Sequence, residues 1–239
     1  MDENNPRIKE HCAAGGLATV YENGYVTIMK GTWKIRVMAA KDIPLTYEGK
    51  AVHNIANCLP AVLATYLYRD ISIDDIKLGL QTFMPGEALT PGRLNFFHFK
   101  NITFLADFAH NPHGLKLLCD FVSKLDYKTK IGVISGTGDR RDEDIMELGE
   151  ISAQYFDQII IRCDKNLRGR TADEIIGLLK DGINKVNPNV PTITIANENE
   201  ALEYIYANQV PGALYTIMCD VVAGALDKIK ELKAREGKE

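Results

Sequence analysis

Three polar residues whose types and spacing could do chemistry follow a strand-like apolar run in ADFAHNPHGL (106–115). The run is ITFL (102–105), and Asp107, His110 and Asn111 come after it in quick succession, before a helical pattern begins. The Asp107 carboxylate could accept hydrogen bonds from a ribose diol. His110 and Asn111 could reach toward a reacting group. The stretch therefore indicates a ligand site at the mouth of a helix.

Polar stretches also follow three other apolar runs of the chain. GTGDRRDED (136–144) follows one run, DKNLRGR (164–170) follows the next, and Asp220 follows the last. Open parallel sheets bind ligands at the carboxyl ends of their strands, so all four positions should lie along one rim. Arginine side chains there suit carboxylate or phosphate ligands, and they are Arg140, Arg141, Arg168 and Arg170.

Simple structural roles compete with this interpretation. Asp220 fits the N-cap of the last helix, and Asp142 and Asp144 favour the positive end of another helix. Asp107 fits a turn at a strand end, and Asn111 is a common residue at the start of a turn. If only one polar residue lay at the rim, a structural role would be the better explanation. Three charged clusters on one rim instead favour a binding site.

The elements that must position these residues alternate between strands and helices from about residue 96. Short strands alternating with helices of about a dozen residues predict βαβ units. FFHFK (96–100) is predicted to pair with the next strand as an antiparallel hairpin at the sheet edge. We predict α/β architecture here, with a Rossmann-like, mainly parallel sheet and helices on both faces. The predicted strands are 102–108, 131–135, 158–163, 192–196 and 213–219, and the predicted helices are 114–125, 142–155, 171–186, 198–208 and 220–236.

The first 90 residues show a less complete pattern. Asn23-Gly24 between two alternating runs predicts a hairpin, and another strand follows in 33–44. Pro60 fits the first turn of an apolar helix, which would then start near Asn54 to Asn57. A second helix is predicted to open at Ser72, with a capping box completed by Asp75.

The segment MPGEALTPGRL (84–94) contains two Pro-Gly steps and is typical of a linker. We therefore predict two domains, 1–90 and 91–239. The first is expected to be the incomplete tail of an α/β domain.

Composition excludes several classes of protein. A formal net charge of −4 gives no electrostatic reason to expect a nucleic acid or acidic membrane partner. The five cysteines are scattered singly, as expected for buried free thiols. No apolar run approaches the ~20 residues of a membrane span, and the polar N-terminus does not resemble a signal peptide. We expect a cytoplasmic protein with no metal site of its own.

Five sequence motifs, taken in their order along the chain, resemble those of the Mur ligase family. The resemblance is strongest to the C-terminal, Mur-ligase-like part of the cyanophycin synthetases within that family. The resemblance covers nearly the whole chain. It implies amide-bond formation, in which ATP phosphorylates a carboxylate to an acyl phosphate that an amine then attacks. In the cyanophycin synthetases, arginine is joined to the β-carboxylate of aspartate in an Asp–Arg polymer. The motifs are GKAVHNIAN (49–57), PGRL (91–94), ADFAHNP (106–112), GDRRDED (138–144) and DKNLRGR (164–170).

The resemblance also implies a role for each matching residue. Asn54 and Asn57 are expected to contact adenine, Arg93 to lie near the ribose and phosphates, and Asp107 to hold the ribose hydroxyls. His110 and Asn111 are expected near the phosphate end, as the catalytic residues. The residues expected to bind the incoming amino acid are Asp139, Arg140, Asp164, Arg168 and Arg170.

The sequence departs from the family in one large respect. It contains no GxxxxGK[ST] loop, and the family's metal-binding residues are also missing. We therefore expect the ATP and Mg²⁺ site to be incomplete, residues 1–90 to be a remnant of the central ATPase domain, and the chain to be inactive alone. The expected partners are a small amino acid or an Asp–Arg polymer, and the sequence is also compatible with a homo-oligomer. The alternatives are a non-catalytic nucleotide- or amino-acid-binding module, or part of another Mur-type peptide ligase.

Overall fold

The structure is a computed structural model that describes residues 4–68 and 70–237. The chain divides into two compact units after Met84. We call residues up to Met84 the N-terminal unit and residues from Pro85 onward the C-terminal unit. None of the helices in the described ranges is long and apolar enough to cross a membrane.

The N-terminal unit combines a three-stranded antiparallel sheet with three helices. Asn23 and Gly24 have φ angles of 50° and 84°, the left-handed values that a two-residue hairpin turn requires, so the predicted hairpin is confirmed. Helix α1 was not predicted. The elements are α1 (Pro6–Ala13), β1 (Ala18–Glu22), β2 (Tyr25–Lys30), β3 (Trp33–Ala39), α2 (Val52–Tyr66) and α3 (Ile73–Thr82).

Helix α2 begins at Val52, so the start predicted near Asn54 to Asn57 is wrong. Pro60 lies inside the helix instead of in its first turn. A proline there costs about 3 kcal/mol, whereas each fully buried aliphatic side chain contributes roughly 1.5–3 kcal/mol. The buried face of α2 outweighs the proline, and Pro60 itself is exposed. That face comprises Ile55, Cys58, Leu59 and Val62.

The C-terminal unit is built on a six-stranded sheet in the order β4-β5-β9-β6-β7-β8. Strand β4 is antiparallel to β5 at one edge, as predicted, and the remaining neighbours are parallel. The sequence-based prediction of a mainly parallel sheet is confirmed. The strands are β4 (Asn95–His98), β5 (Thr103–Asp107), β6 (Lys130–Ile134), β7 (Gln158–Arg162), β8 (Thr192–Ile195) and β9 (Leu214–Met218).

Helices cover both faces of this sheet. Helices α7 and α8 pack over Phe104, Tyr215 and Ile217 in one buried cluster. Helices α4, α5 and α6 pack in series on the opposite face, where Gly132 of β6 lies against Phe156. The helices are α4 (Pro112–Ser123), α5 (Asp142–Tyr155), α6 (Ala172–Val186), α7 (Glu198–Ala207) and α8 (Val222–Glu236).

Limited chymotrypsin digestion is expected to cut first between residues 83 and 90. Phe83, Met84 and Leu89 have exposed side chains outside regular structure, and exposed loops are the preferred sites of cleavage. We expect a stable fragment that extends from this segment to the C-terminus, identified by mass spectrometry. A first cut inside the six-stranded sheet would contradict the proposal that residues from Pro85 onward fold independently.

Candidate functional site

The carboxyl ends of β5, β9, β6 and β7 are neighbours along one rim of the sheet. Contacts between the residues that follow these strands hold the rim together. The Cys219 amide donates to the Asp107 carbonyl oxygen over 2.8 Å, and the Ser135 hydroxyl donates to the Asp164 carboxylate over 2.7 Å. The polar stretches singled out in the sequence therefore lie on the same edge.

Asp107 lies at the end of β5, with only 9% of its surface exposed. Its Oδ2 accepts a hydrogen bond of 2.9 Å from the Leu94 amide. Burial raises the pKa of Asp107 to about 6, although the Leu94 amide and Arg93 act in the opposite direction. The sequence placed this residue on an open rim outside the core, so the extent of its burial is a correction.

Arg93, Phe108 and His110 contact one another in series beside Asp107. The Arg93 guanidinium carbon lies 5.6 Å from the centroid of the Phe108 ring, and the Phe108 and His110 rings are 4.6 Å apart. His110 Nδ1 lies 3.0 Å from the Phe108 carbonyl oxygen. A carbonyl only accepts, so Nδ1 is the donor of this hydrogen bond, and in the uncharged tautomer Nε2 is then an acceptor.

Asn111 is the N-cap of α4. Its Oδ1 accepts a hydrogen bond of 2.8 Å from the Gly114 amide. Asn111 therefore has a structural role as a helix cap through Oδ1, and its Nδ2 is the side-chain group that could donate to a ligand.

The loop before α5 and the loop after β7 are tied together by two arginines. Arg168 forms an ion pair of 2.7 Å with Asp139, whose pKa it lowers. Arg170 donates to the carbonyl oxygens of Gly138 and Arg140 over 2.9 and 2.8 Å. A Cβ on Gly138 would overlap the carbonyl of the other loop, so glycine allows this close approach.

The guanidinium groups of these arginines are used differently. Arg168 and Arg170 both pair with groups of the protein, and Arg170 also forms an ion pair with Asp142. The backbone of Arg168 has a φ angle of 47°, in the left-handed region. Arg140 makes no side-chain hydrogen bond or ion pair among the residues that the structure describes, and its Nε is buried without a partner. Of the predicted substrate arginines, Arg140 is thus the one whose charge remains available.

Arg162 is a residue that sequence reasoning missed. It ends β7 with 1% of its side chain exposed, and it pairs with Asp164 and donates to the Met218 carbonyl oxygen. Its Nη2 also lies 3.4 Å from Glu198 Oε1. Burial raises the pKa of Glu198, and Arg162 opposes that shift. The signal available in the sequence was a charged residue inside the apolar run QIIIRC.

Asp220 is not the N-cap of the last helix, as had been considered. The N-cap of α8 is Val221, without a side-chain cap. Asp220 Oδ2 accepts from the Lys165 amide over 2.7 Å, and the Asp220 amide donates to Glu198 over 2.9 Å. Asp220 therefore links the carboxyl end of β9 to the loop after β7.

Asn54 and Asn57 lie on α2 in the N-terminal unit. Asn54 Nδ2 donates to the Leu45 carbonyl oxygen over 2.9 Å, and Asn57 Nδ2 lies 3.4 Å from Asn54 Oδ1. Asn57 lines an apolar cavity of about 270 Å³ with Ile43, Leu45, Cys58, Leu80 and Phe83.

Comparison with known proteins adds three findings. A family model described as Mur ligase, glutamate ligase domain, matches residues 92–221. Cyanophycin synthetases from Geminocystis herdmanii and a Synechocystis strain are 41% and 39% identical over 97% and 98% of the chain. The chain spans about a quarter of the length of these relatives, 26% in both cases.

Solved structures share the fold at low sequence identity. FolC from E. coli in complex with ADP has a TM-score of 0.60 at 16% identity, covering 92% of this chain and 47% of that one. Folylpolyglutamate synthase from Mycobacterium tuberculosis, complexed with ADP and AMPPCP, has a TM-score of 0.59 at 18% identity, covering 88% of this chain and 46% of that one.

Proposed function

Because the chain belongs to the Mur ligase, glutamate ligase domain family, we propose that it forms the C-terminal portion of an ATP-dependent amide-bond-forming ligase. The proposed reaction joins arginine to the β-carboxylate of aspartate in an Asp–Arg polymer. Sequence identity near 40% to cyanophycin synthetases across almost the whole chain supports this choice. We propose that residues up to 90 correspond to the end of the central domain and residues from 91 to the C-terminal domain.

The observation that carries the proposal is the joining of two motifs at the rim. Residues 138–144 and 164–170 are separate in sequence, yet Arg168 and Arg170 connect them directly. Between them they place Asp139, Arg140 and Asp164 at the edge where parallel sheets bind ligands. Asp139 is paired with Arg168 and Asp164 with Arg162, so Arg140 is the one of the three without an ion pair in the described part of the chain. A structural role alone gives no reason to leave the charge of Arg140 unpaired beside this connection.

Each unit carries residues that fit part of ATP. In the N-terminal unit, the cavity lined by Asn57 suits an adenine ring, with Asn54 beside it. In the C-terminal unit, Asp107 keeps acceptor capacity for ribose hydroxyls, and Arg93 supplies positive charge nearby. When bound, ATP would supply the phosphoryl group that activates a carboxylate. Among the described residues, no group of three or more His, Cys, Asp or Glu side chains could hold a metal ion.

The proposed roles on the amino-acid side follow from charge and protonation. Arg140 would hold the carboxylate of the incoming amino acid, because its Nε is buried without an acceptor in the described part of the chain. His110 Nε2, as a free acceptor, could take a proton from the attacking amine. Asn111 Nδ2 would donate to an anionic oxygen near it.

A chimaeric enzyme tests the function directly. This chain would replace the matching part of the Geminocystis herdmanii cyanophycin synthetase, and arginine-dependent ADP release would be measured. We expect retained arginine incorporation, and Arg140→Gln should raise KM for arginine about 10- to 100-fold, as expected for loss of a hydrogen-bonded charge. The matched control is Lys180→Gln on α6, an exposed cation away from the rim, which should leave KM unchanged.

The parent enzyme rejoined at the same junctions shows whether the junctions are tolerated. A folded chimaera without arginine-dependent turnover, beside an active rejoined parent, would contradict the proposed reaction and favour a non-catalytic binding module. Turnover with another amino acid would instead assign the chain to a different peptide ligase.

A further inference from the structure

The ring of Phe108 contacts two residues that have proposed roles in the reaction. Its centroid lies 5.6 Å from the guanidinium carbon of Arg93 and 4.6 Å from the centroid of the His110 ring. Phe108 directly follows Asp107, the last residue of β5, and its side chain is only partly buried. Phe108 is thus the residue through which Arg93 and His110 are connected.

The backbone of Phe108 is fixed on both sides of its Cα atom. The Phe108 amide donates to the Gly92 carbonyl oxygen over 2.9 Å, and the Phe108 carbonyl oxygen accepts from His110 Nδ1 over 3.0 Å. Close by, the Leu94 amide donates to Asp107 Oδ2 over 2.9 Å. These bonds fasten the segment that carries the arginine to the end of β5, so the Phe108 ring projects from a fixed position.

The ring restricts the imidazole of His110. One hydrogen bond through Nδ1 leaves an imidazole free to tilt about the direction of that bond. The Phe108 ring packs against the His110 ring at an interplanar angle of 41°, which limits this tilt. The hydrogen bond made by one ring nitrogen selects the tautomer of a neutral histidine. A ring that cannot tilt keeps that bond, and Nε2 then points in one direction as an acceptor.

The same ring restricts the side chain of Arg93. Arg93 is exposed, and a guanidinium near an aromatic face is attracted by the ring quadrupole. A long exposed side chain loses rotamer freedom when it contacts a ligand. A contact that already orders the side chain reduces that loss and so favours binding. The Phe108 ring therefore preorganises Arg93 as well as His110.

We infer that Phe108 is a positioning residue, whose ring holds Arg93 ready to contact the nucleotide and His110 ready to accept a proton. The roles of Arg93 and His110 rest on the proposed function, whereas the contacts that Phe108 makes with them do not. Phe108 itself touches no reacting group in this role. An aliphatic side chain would keep part of the apolar contact and lose the aromatic face, so the ring is the feature to remove.

The tautomer of His110 tests the positioning without any substrate. It is measured by ¹⁵N NMR of the histidine side chains in the full chain at alkaline pH, where imidazole rings are neutral. His110→Gln identifies the His110 signals among those of the five histidines. We expect the Nδ1–H form in the wild type and in Phe108→Tyr, which keeps the ring. Neutral histidine in water favours the Nε2–H form, so Phe108→Leu should show a mixture of both.

Phe97→Leu is the matched control. Phe97 is a partly buried phenylalanine of β4 that packs against the apolar cluster of Phe104, Tyr215 and Ile217. This variant should lower the melting temperature about as much as Phe108→Leu and leave the His110 tautomer unchanged. An unchanged tautomer in Phe108→Leu, or the same change in Phe97→Leu, would overturn the inference.

Kinetics of the chimaeric enzyme separate the two contacts. Phe108→Leu should raise KM for ATP about two- to fivefold, the size of an exposed cation–π contact. It should also lower kcat about tenfold, a part of what a positioned general base supplies. The effect on KM should vanish in an Arg93→Gln background, and the effect on kcat should vanish in a His110→Gln background. Effects that persist in full in both backgrounds would show that the ring acts by packing alone.

The positioning and the proposed reaction can fail separately. A tautomer change in Phe108→Leu, beside a chimaera without arginine-dependent turnover, would retain the positioning of His110 and remove the reaction. An active chimaera, beside a His110 tautomer that does not depend on the ring, would retain the reaction and remove the positioning.

Discussion

Replacing Arg162 by methionine is expected to destabilise the C-terminal unit by roughly 3–5 kcal/mol, because it leaves buried carboxylates without their cation. The side chains of Asp164 and Glu198 are each only 12% exposed. Arg162 itself is 1% exposed and ties the ends of β7 and β9 together. For a unit of this size the loss corresponds to a fall in Tm of roughly 6–20 °C, measured by calorimetry.

The destabilisation should depend on pH. Burial raises the pKa of Glu198 in the wild type against the opposing effect of Arg162, so without Arg162 that pKa should lie further above its value in the unfolded chain. The stability that protonation of Glu198 gives is then fully present below pH ~4 and is lost as pH rises through the raised pKa. The variant should therefore approach the wild type at acid pH and differ most at neutral pH.

Two further variants separate charge from packing. Arg235→Met removes an arginine whose partners, Glu203 and Glu231, are exposed, and it should cost less than about 1 kcal/mol. The triple variant Arg162→Met, Asp164→Asn, Glu198→Gln removes the uncompensated charges and should recover much of the loss. A triple variant as unstable as Arg162→Met would show that the arginine acts through packing alone.

Replacing Asp107 by asparagine is expected to lower nucleotide affinity. The stability of the variant, compared with that of the wild type, should also be greater at neutral pH than at acid pH. In the proposed role, the carboxylate accepts hydrogen bonds from ribose hydroxyls. Such bonds to a charged group contribute roughly 1.5–3 kcal/mol, so KM for ATP should rise about 10- to 100-fold. The chimaeric enzyme described above supplies this measurement.

The stability effect follows from the buried charge. The pKa of Asp107 is about 6 in the folded protein, and an unperturbed aspartate has a pKa near 4, a difference worth roughly 3 kcal/mol. The extra stability of the protonated wild type is present below pH ~4 and is lost as pH rises through 6. Asparagine does not titrate, so the stability of the variant relative to wild type should increase by roughly 3 kcal/mol from pH 4 to 8.

Urea unfolding of the wild type and Asp107→Asn between pH 4 and 8 measures this difference. Asp126→Asn is the control, since Asp126 is exposed and its side chain makes no hydrogen bond or ion pair in the described part of the chain. Parallel stability curves would contradict the burial argument. An unchanged KM for ATP with a folded variant would contradict the ribose assignment and leave Asp107 a structural residue that holds the Leu94 amide.

The alternation of strands and helices in the C-terminal unit was readable because each element is defined locally. Helix α5 was predicted over 142–155 and is observed over Asp142–Tyr155. Capping at Ser72 and the hairpin at Asn23-Gly24 were also predicted correctly, since both depend on residues within a few positions. The start of α2 was not, because tertiary burial of its apolar face outweighs the local preference of Pro60.

The candidate site divides in the same way. The sequence by itself determined which polar residues follow each strand, and parallel β-strands bring those positions to one rim whatever the loops between them do. It also determined the family, through ordered motifs that need no folded structure to be read. Neither the burial of Asp107 nor the contacts of Arg162 could be predicted from the sequence, since both depend on side chains supplied by distant segments.

Only the tertiary structure decided which charges remain free. Arg140, Arg168 and Arg170 are equivalent in the sequence, yet two of them are paired internally and Arg140 is not. Glu198, whose Oε1 lies 3.4 Å from Arg162 Nη2, gave no signal because it is an ordinary residue at the start of α7 in the sequence. Its contact with Arg162 depends on how α7 packs on the sheet, and a pairing between distant segments leaves no local pattern in either one.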